Sequence, residues 1–264
     1  MRLVCLNVWV GQRFNELTAF LKSEAGSTDV FCFQEMIDYS GEDSPKPETH
    51  LLGEGFMARS QLLKELASAL PEYDPYFAIA QDGFTTDDPQ AEKIQYGPAT
   101  FIHRNITVTE QGKLFIYGDK DGLKGRDAKT IPCCMQHLTL EIPGSKLLLA
   151  NMHGTWWPWQ KKDTPDRLRQ SRLVREFLGR WNGPAILCGD FNLRPDTESY
   201  RMLAAGMRDL NSEYNITDTR GPLFPYENRT SDYMLVSPEI NVKSFEVPEV
   251  RVSDHLPLVL EFDV

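Results

Sequence analysis

A chain of 264 residues, 41% hydrophobic and 11% aromatic, can bury a sizeable core, and one domain spanning residues 1–264 accounts for that length. Its 38 acidic against 28 basic residues leave a formal charge of −10, which excludes a broad electrostatic grip on polyanions but not a local basic patch. The five cysteines (Cys5, Cys32, Cys133, Cys134 and Cys188) are odd in number and lack the paired spacing of a zinc site, so they read as buried thiols in a reducing compartment.

The chain opens on Met1-Arg2-Leu3-Val4-Cys5-Leu6-Asn7 without the long apolar core of a signal peptide, and a strand is predicted at once, over Leu3 to Val10. Apolar residues at Phe14, Leu17, Phe20 and Leu21 predict a helix over Phe14 to Lys22, followed by a buried strand over Val30 to Phe33. From Asp38 to Arg59, Gly41, Pro45, Pro47, Gly53 and Gly55 predict a surface excursion. A helix over Ser60 to Leu70 and a strand over Ala99 to His103 come next, then a second excursion over Gly118 to Gly125. After a strand over Lys146 to Met152, Thr164 and Pro165 suit the start of a helix running over Asp166 to Trp181. Strands over Ala185 to Cys188, Tyr233 to Val236 and Leu258 to Phe262 complete the pattern. No run approaches the roughly 18 apolar residues of a membrane span. The expectation is a cytoplasmic protein with no membrane anchor and no obligate protein partner. Strands and helices in both halves imply an α/β chain of two packed mixed sheets with helices outside.

Several of these strands end in polar side chains. Ile186-Leu187-Cys188-Gly189-Asp190-Phe191-Asn192 places a carboxylate and an amide two positions apart, on one face if the strand continues. Such a pair can take a proton from water and hold a phosphate oxygen in line, although Gly-Asp and Asn before Arg194-Pro195 serve equally as a turn. Ser253-Asp254-His255 sets a carboxylate and an imidazole before the last strand, and Asp232, opening another, can fix that imidazole and keep it charged. Glu35 ends an apolar strand, where a carboxylate is costly unless paired or bound to a cation, so it is a plausible ligand for a hard metal. Asn7 supplies a neutral oxygen, and Asn151-Met152-His153 ends a further strand. Ordinary strand-end polarity explains each of these taken singly.

Taken in order, Leu6-Asn7, Gln34-Glu35, Asn151-Met152-His153, Gly189-Asp190-Phe191-Asn192, Ser231-Asp232-Tyr233 and Ser253-Asp254-His255 resemble the endonuclease/exonuclease/phosphatase superfamily from residue 7 to residue 255. The resemblance implies a four-layer α-β-β-α sandwich. It also implies Mg2+ or Mn2+ on Glu35, with Asn7 nearby and Asp254 contributing directly or through water. By the same resemblance Asp190 activates water, Asn192 holds the scissile phosphate, and His153 and His255 stabilise the phosphorane-like transition state, with Asp232 behind His255. The segment Lys93 to Phe101 is similar to the family's entry strand but lacks its usual acidic partner for the first histidine.

After His153, Trp156, Trp157 and Trp159 precede Lys161 and Lys162, an arrangement that can stack nucleobases or simply pack on the core. Arg229 can touch a substrate phosphate or pair with acidic loops. The expected activity is metal-dependent hydrolysis of phosphodiesters in nucleic acid or nucleotides. The alternatives are a phosphomonoesterase or lipid-headgroup phosphodiesterase, and an inactive binding module. The last predicts loss of Glu35, Asp190, Asn192 or His255, all of which are present.

Overall fold

The computed structural model describes residues 1–40, 46, 48–50, 57–83, 92–118, 127–227 and 229–264. The Gly41, Pro45, Pro47, Gly53 and Gly55 breakers and the excursion after Gly118 lie outside these residues. The first half contains β1 (Arg2–Asn7), α1 (Phe14–Ala25), β2 (Val30–Tyr39), β3 (Glu48–His50), β4 (Met57–Arg59), α2 (Leu62–Ala69), β5 (Tyr73–Phe77), β6 (Gln81–Gly83), β7 (Ile94–His103) and β8 (Val108–Tyr117). The second contains β9 (Cys133–Ile142), β10 (Ser145–His153), α3 (Pro165–Leu178), β11 (Ala185–Asp190), α4 (Glu198–Ala204), β12 (Arg208–Asp209), α5 (Leu210–Glu213), β13 (Asp232–Val236), β14 (Asn241–Glu246) and β15 (Leu258–Asp263).

One sheet runs β14-β15-β1-β2-β7-β5, with β6 also on β7, and the other runs β12-β13-β11-β10-β9-β8. Each has a single parallel pair at its centre, β1 with β2 and β10 with β11, and antiparallel neighbours on both sides. Strand alternation sorts the apolar side chains into layers. Leu3, Cys5, Val30 and Cys32 of one sheet meet Leu147, Leu149, Ile186, Cys188, Met234 and Val236 of the other. The opposite faces pack elsewhere. Val4, Leu6, Phe31 and Phe33 pack against Leu17 and Leu21 of α1 and Leu62 and Leu66 of α2. Leu148, Ala150, Leu187 and Leu235 pack against Val174 and Leu178 of α3 and Leu203 of α4. Three apolar interfaces between four layers make the α-β-β-α sandwich.

Several boundaries differ from the sequence expectation. The first strand stops at Asn7, where Trp9 and Val10 take positive φ in a 3-10 turn, rather than running on to Val10. The strand from Val30 continues to Tyr39, so Asp38 is paired sheet rather than surface excursion, with an irregularity in the middle. Thr164 caps α3, its Oγ1 accepting from Arg167 N at 3.2 Å. The strands β5, β8, β9 and β14 carried no recognised pattern.

Candidate active site

Continuing the inward stripes by two residues carries each apolar core into polar side chains at one end. Leu3 and Cys5 lead to Asn7, Val30 and Cys32 to Gln34, Leu147 and Leu149 to Asn151 and His153, and Ile186 and Cys188 to Asp190. Asp232 begins the same stripe of β13, opposite Asp190. The mouth therefore sits between the sheets, at the carboxyl ends of both parallel pairs. Its floor is an amide network that, among the described residues, leaves only Gln34 Oε1 without a partner. Gln34 Nε2 donates to Asn151 Oδ1 at 2.6 Å, and Asn151 Nδ2 donates to Phe33 O, Ala99 O and Thr100 Oγ1 at 3.1–3.2 Å. This stitches one sheet to the other under the site and satisfies groups that would otherwise be costly to bury.

Glu35 reaches the mouth through a bulge. Phe33 pairs with Ala99 and Met36 with Gly97, so Gln34 and Glu35 together face Pro98, and Glu35 adopts φ 57°. Pro98 has no N–H to offer the ladder, and a side chain at Gly97 would run into the Ala78 carbonyl. Asn7 Nδ2 donates to Glu35 Oε1 (3.0 Å) and Asp190 Oδ2 (3.3 Å), while its Oδ1 accepts the Trp9 N–H (3.0 Å). In this orientation Asn7 bridges two carboxylates and its oxygen is already engaged. His153 Nε2 lies 3.8 Å from Glu35 Oε1 and makes no hydrogen bond, while its Nδ1 meets Tyr96 OH at 3.3 Å. Tyr96 thus occupies the place where an acidic partner was sought. Burial, reinforced by Glu35, pushes its pKa well up, so the phenol keeps its proton.

Asp190 stands at the centre. Burial works against its ionisation, yet Lys161, His255, Arg220 and His153 together hold its carboxyl well below the usual range. His255 Nε2 lies 3.6 Å from Asp190 Oδ2, and His255 Nδ1 meets Asp232 Oδ1 at 2.7 Å. Asp232 Oδ2 in turn accepts from Thr219 Oγ1 (2.7 Å) and Ser231 Oγ (3.1 Å). Burial and Arg220 oppose protonation of His255, but Asp232 and Asp254 outweigh them, and its pKa is raised. The strand stops at Asp190, and Asn192 is the turn that its own neighbours favour. It has φ 53°, its N–H donates to Asp190 Oδ1 at 2.9 Å, and its Nδ2 donates to Gly154 O at 3.0 Å. The turn reading is the one the structure shows for this segment.

Arg220 is a site residue that the sequence did not single out. It is 5% exposed, its Nη1 donates to Asp254 Oδ2 (2.9 Å), its Nε and Nη2 donate to Ser231 Oγ (3.2 and 3.0 Å), and Nη2 lies 3.6 Å from Asp190. An isolated bridge to His255 places it there. Its surroundings in sequence, Thr217-Asp218-Thr219-Arg220-Gly221, look like any polar loop. Arg229 uses its guanidinium on Asp218 and on the carbonyls of Arg220, Gly221 and Phe224, which fixes the loop that carries Arg220. Trp156 and Trp157 are half-buried and pack edge to face, with Trp159, 60% exposed, against Trp156.

The sequence pattern of the Endonuclease/Exonuclease/phosphatase family matches residues 4–255. The chain belongs to this family. No curated protein sequence matches it closely enough to count as a relative. Among solved structures it is similar to a mannosyl-6-phosphatase of Bacteroides thetaiotaomicron, at 20% identity and TM-score 0.69, with all of both chains covered. It is also similar to a family protein of Leptotrichia buccalis, at 16% identity and TM-score 0.70, again over both whole chains. The catalytic domain of human nocturnin, holding a bound sulfate anion, aligns at 18% identity and TM-score 0.64, covering 100% of this chain and 94% of that one. At these identities the likeness is one of fold.

Members of this family generally use divalent metals, and Glu35 fits one. Burial raises its pKa, His153 opposes that rise, and Asp254 adds to it. A half-buried carboxylate destabilised by a second carboxylate is a donor set for a hard cation. Asp190, Asp232 and His255 also bring ligand atoms within 4.8 Å of one another. There the imidazole is already committed to Asp232 and favours its charged form, which suits an oxyanion better than a cation. Among the described residues no helix is long and apolar enough to cross a membrane.

Proposed function

We propose that this family member is a divalent-metal-dependent phosphoesterase in which water, activated by Asp190, attacks phosphorus. The observation that carries the reading is Asp190 itself, a buried carboxylate held ionised by the side chains of four cationic or imidazole residues. A carboxylate so deeply stabilised is a weak base at rest. When phosphate oxyanions arrive, they neutralise the same cations and raise the basicity of Asp190 at the moment its proton acceptance is required. His255, oriented by Asp232, and His153, its Nε2 free, face the developing charge, and Asn192 fixes an oxygen of the same phosphate. Glu35, with Asp254, would hold Mg2+ or Mn2+, which supplies Lewis-acid charge at a non-bridging oxygen. The buried free cysteines suit a reducing cytoplasm.

A second reading, a phosphodiesterase of nucleic acid or nucleotides, is favoured by the Trp156, Trp157 and Trp159 cluster, whose outermost ring is exposed for stacking. A panel of sugar phosphates, nucleoside monophosphates, single-stranded DNA, RNA and chromogenic esters, run with Mg2+, Mn2+ and chelator, tests both. Turnover that requires metal and falls at least about 100-fold in Glu35→Gln supports the proposal. Turnover indifferent to metal, or none on any ester, overturns it.

A further inference from the structure

The segment from Gly154 to Lys162 is folded over Asp190 by contacts that leave one group unused. Gly154 N donates to Asp190 O at 2.8 Å. Arg167, fully buried at the start of α3, gathers the carbonyls of Pro158 (2.7 Å), Lys162 (2.8 Å), Thr155 and Trp156 (3.4 Å each). The segment ends with Lys161 in the left-handed region, φ 54°, pinned by Lys161 N to Pro158 O (3.3 Å) and Arg194 N to Lys161 O (3.2 Å). This backbone is unfavourable for a residue with a Cβ, and strain of this kind gathers at functional sites. Glu35 and Asn192, its counterparts in the mouth, share it.

The side chain is 5% exposed, and its Nζ makes no hydrogen bond. Among the described residues no other lysine ammonium is both buried and unpartnered. The charges it feels most strongly are those of the site: Arg220, Asp190, Asp232 and Asp254. Burying an ammonium without a partner is costly, and a fold retains such a group where a ligand completes it. An anion is the completing ligand for three N–H donors beside a guanidinium.

Resting on the phosphoesterase reading above, we infer that Lys161 is a substrate-contacting residue that binds the third equatorial oxygen of the phosphoryl group and selects phosphomonoesters over phosphodiesters. In an in-line displacement the attacking water and the leaving oxygen are apical. All three equatorial oxygens of a monoester are terminal and share the charge, whereas a diester presents one of them as an ester carrying a second substituent. An ammonium at that corner rewards an oxyanion and gains less from an ester oxygen, which carries no charge. Burial and Arg220 bring the Lys161 pKa down to about 8 against the opposing pull of Asp190, Asp232 and Asp254, so near neutrality the ammonium is charged when substrate binds. The water oxygen bonds to phosphorus as its proton passes to Asp190, the P–O bond to the leaving group breaks, the leaving oxygen departs as an oxyanion that takes a proton from solvent, and Lys161 donates hydrogen bonds without giving up a proton.

The test compares wild type with Lys161→Met and Lys161→Arg. Turnover is measured with Mg2+ on p-nitrophenyl phosphate and bis(p-nitrophenyl) phosphate, with hexose 6-phosphates and nucleoside monophosphates as further monoesters to separate sugar from nucleotide sources. Binding of inorganic phosphate to metal-free protein is measured by calorimetry. Lys161→Met loses roughly 100-fold in kcat/KM on every monoester and less than about fivefold on the diester, and it loses phosphate binding. Lys161→Arg keeps part of both. Equal losses on both ester classes, which a residue that only balanced the Asp190 charge would give, or undiminished phosphate binding in Lys161→Met, overturn the inference. If wild type hydrolyses no ester, the phosphoesterase reading fails, and phosphate binding still decides whether Lys161 contacts the anion.

Discussion

Two loops bring a buried cation to Asp190, and they differ in what the cation has left to do. In the loop before β13, Arg220 is bound to Asp254 and Ser231, and a second arginine, Arg229, gathers the carbonyls of Arg220, Gly221 and Phe224. In the loop after β10, Arg167 gathers carbonyls in the same manner, but the cation it presents, Lys161, has no hydrogen bond. The construction is shared: a stapled loop, then a charge beside Asp190. Arg220 is satisfied within the protein and holds the carboxylates in place. Lys161 is satisfied only by something that binds.

This contrast breaks if the two cations contribute alike to stability. Arg220→Met leaves Asp254 and Asp190 buried beside no guanidinium and lowers stability by about 3–5 kcal/mol. Arg167→Met removes a donor from four carbonyls and costs about 3 kcal/mol. Lys161→Met keeps the apolar stem, loses no hydrogen bond and changes stability by less than about 1 kcal/mol. Urea unfolding of the three variants at pH 7 checks the order, and a Lys161→Met loss as large as that of Arg220→Met would contradict it.

A smaller effect sharpens the same contrast through pH. Lys161 faces Asp190 at the end of β11, Asp232 at the start of β13, Arg220 from the loop before it and Asp254 before β15. Its pKa is near 8 and below that of a free lysine, so the ammonium is present below about pH 8 and lost as pH rises through it. On monoesters kcat/KM therefore falls on the alkaline side by up to about tenfold per pH unit. In Lys161→Arg, whose guanidinium does not titrate there, this limb moves to higher pH. An unchanged limb means that another group governs it.

The strand-end residues were legible as an ordered set resembling one family, since strand-end polarity explains each singly, and the fold extends the inward stripes straight into the mouth. Asn7, Glu35, His153, Asp190, Asn192, Asp232, Asp254 and His255 are all brought there. Arg220 was not legible because what defines it is tertiary: its partners Ser231 and Asp254 lie 11 and 34 residues away. Lys161 was visible only as part of a basic stretch, since neither its burial nor its left-handed backbone leaves a mark in composition. Tyr96 was missed as the companion of His153 because an acid was sought there. Among the strands, β8 is exposed along much of its length and shows no apolar period, while Gln136 and His137 interrupt β9. The bulge at Glu35 depends on Gly97 and Pro98 of a neighbouring strand, which no local window contains.

The central claim is that water, activated by Asp190, attacks phosphorus in this mouth. Hydrolysis of a phosphomonoester in 18O-labelled water, followed by phosphorus NMR, tests it most directly. The account predicts one 18O in each released phosphate for the wild type and a rate lowered at least about 1,000-fold in Asp190→Asn. Phosphate released without label, or an Asp190→Asn variant as fast as wild type, would contradict it.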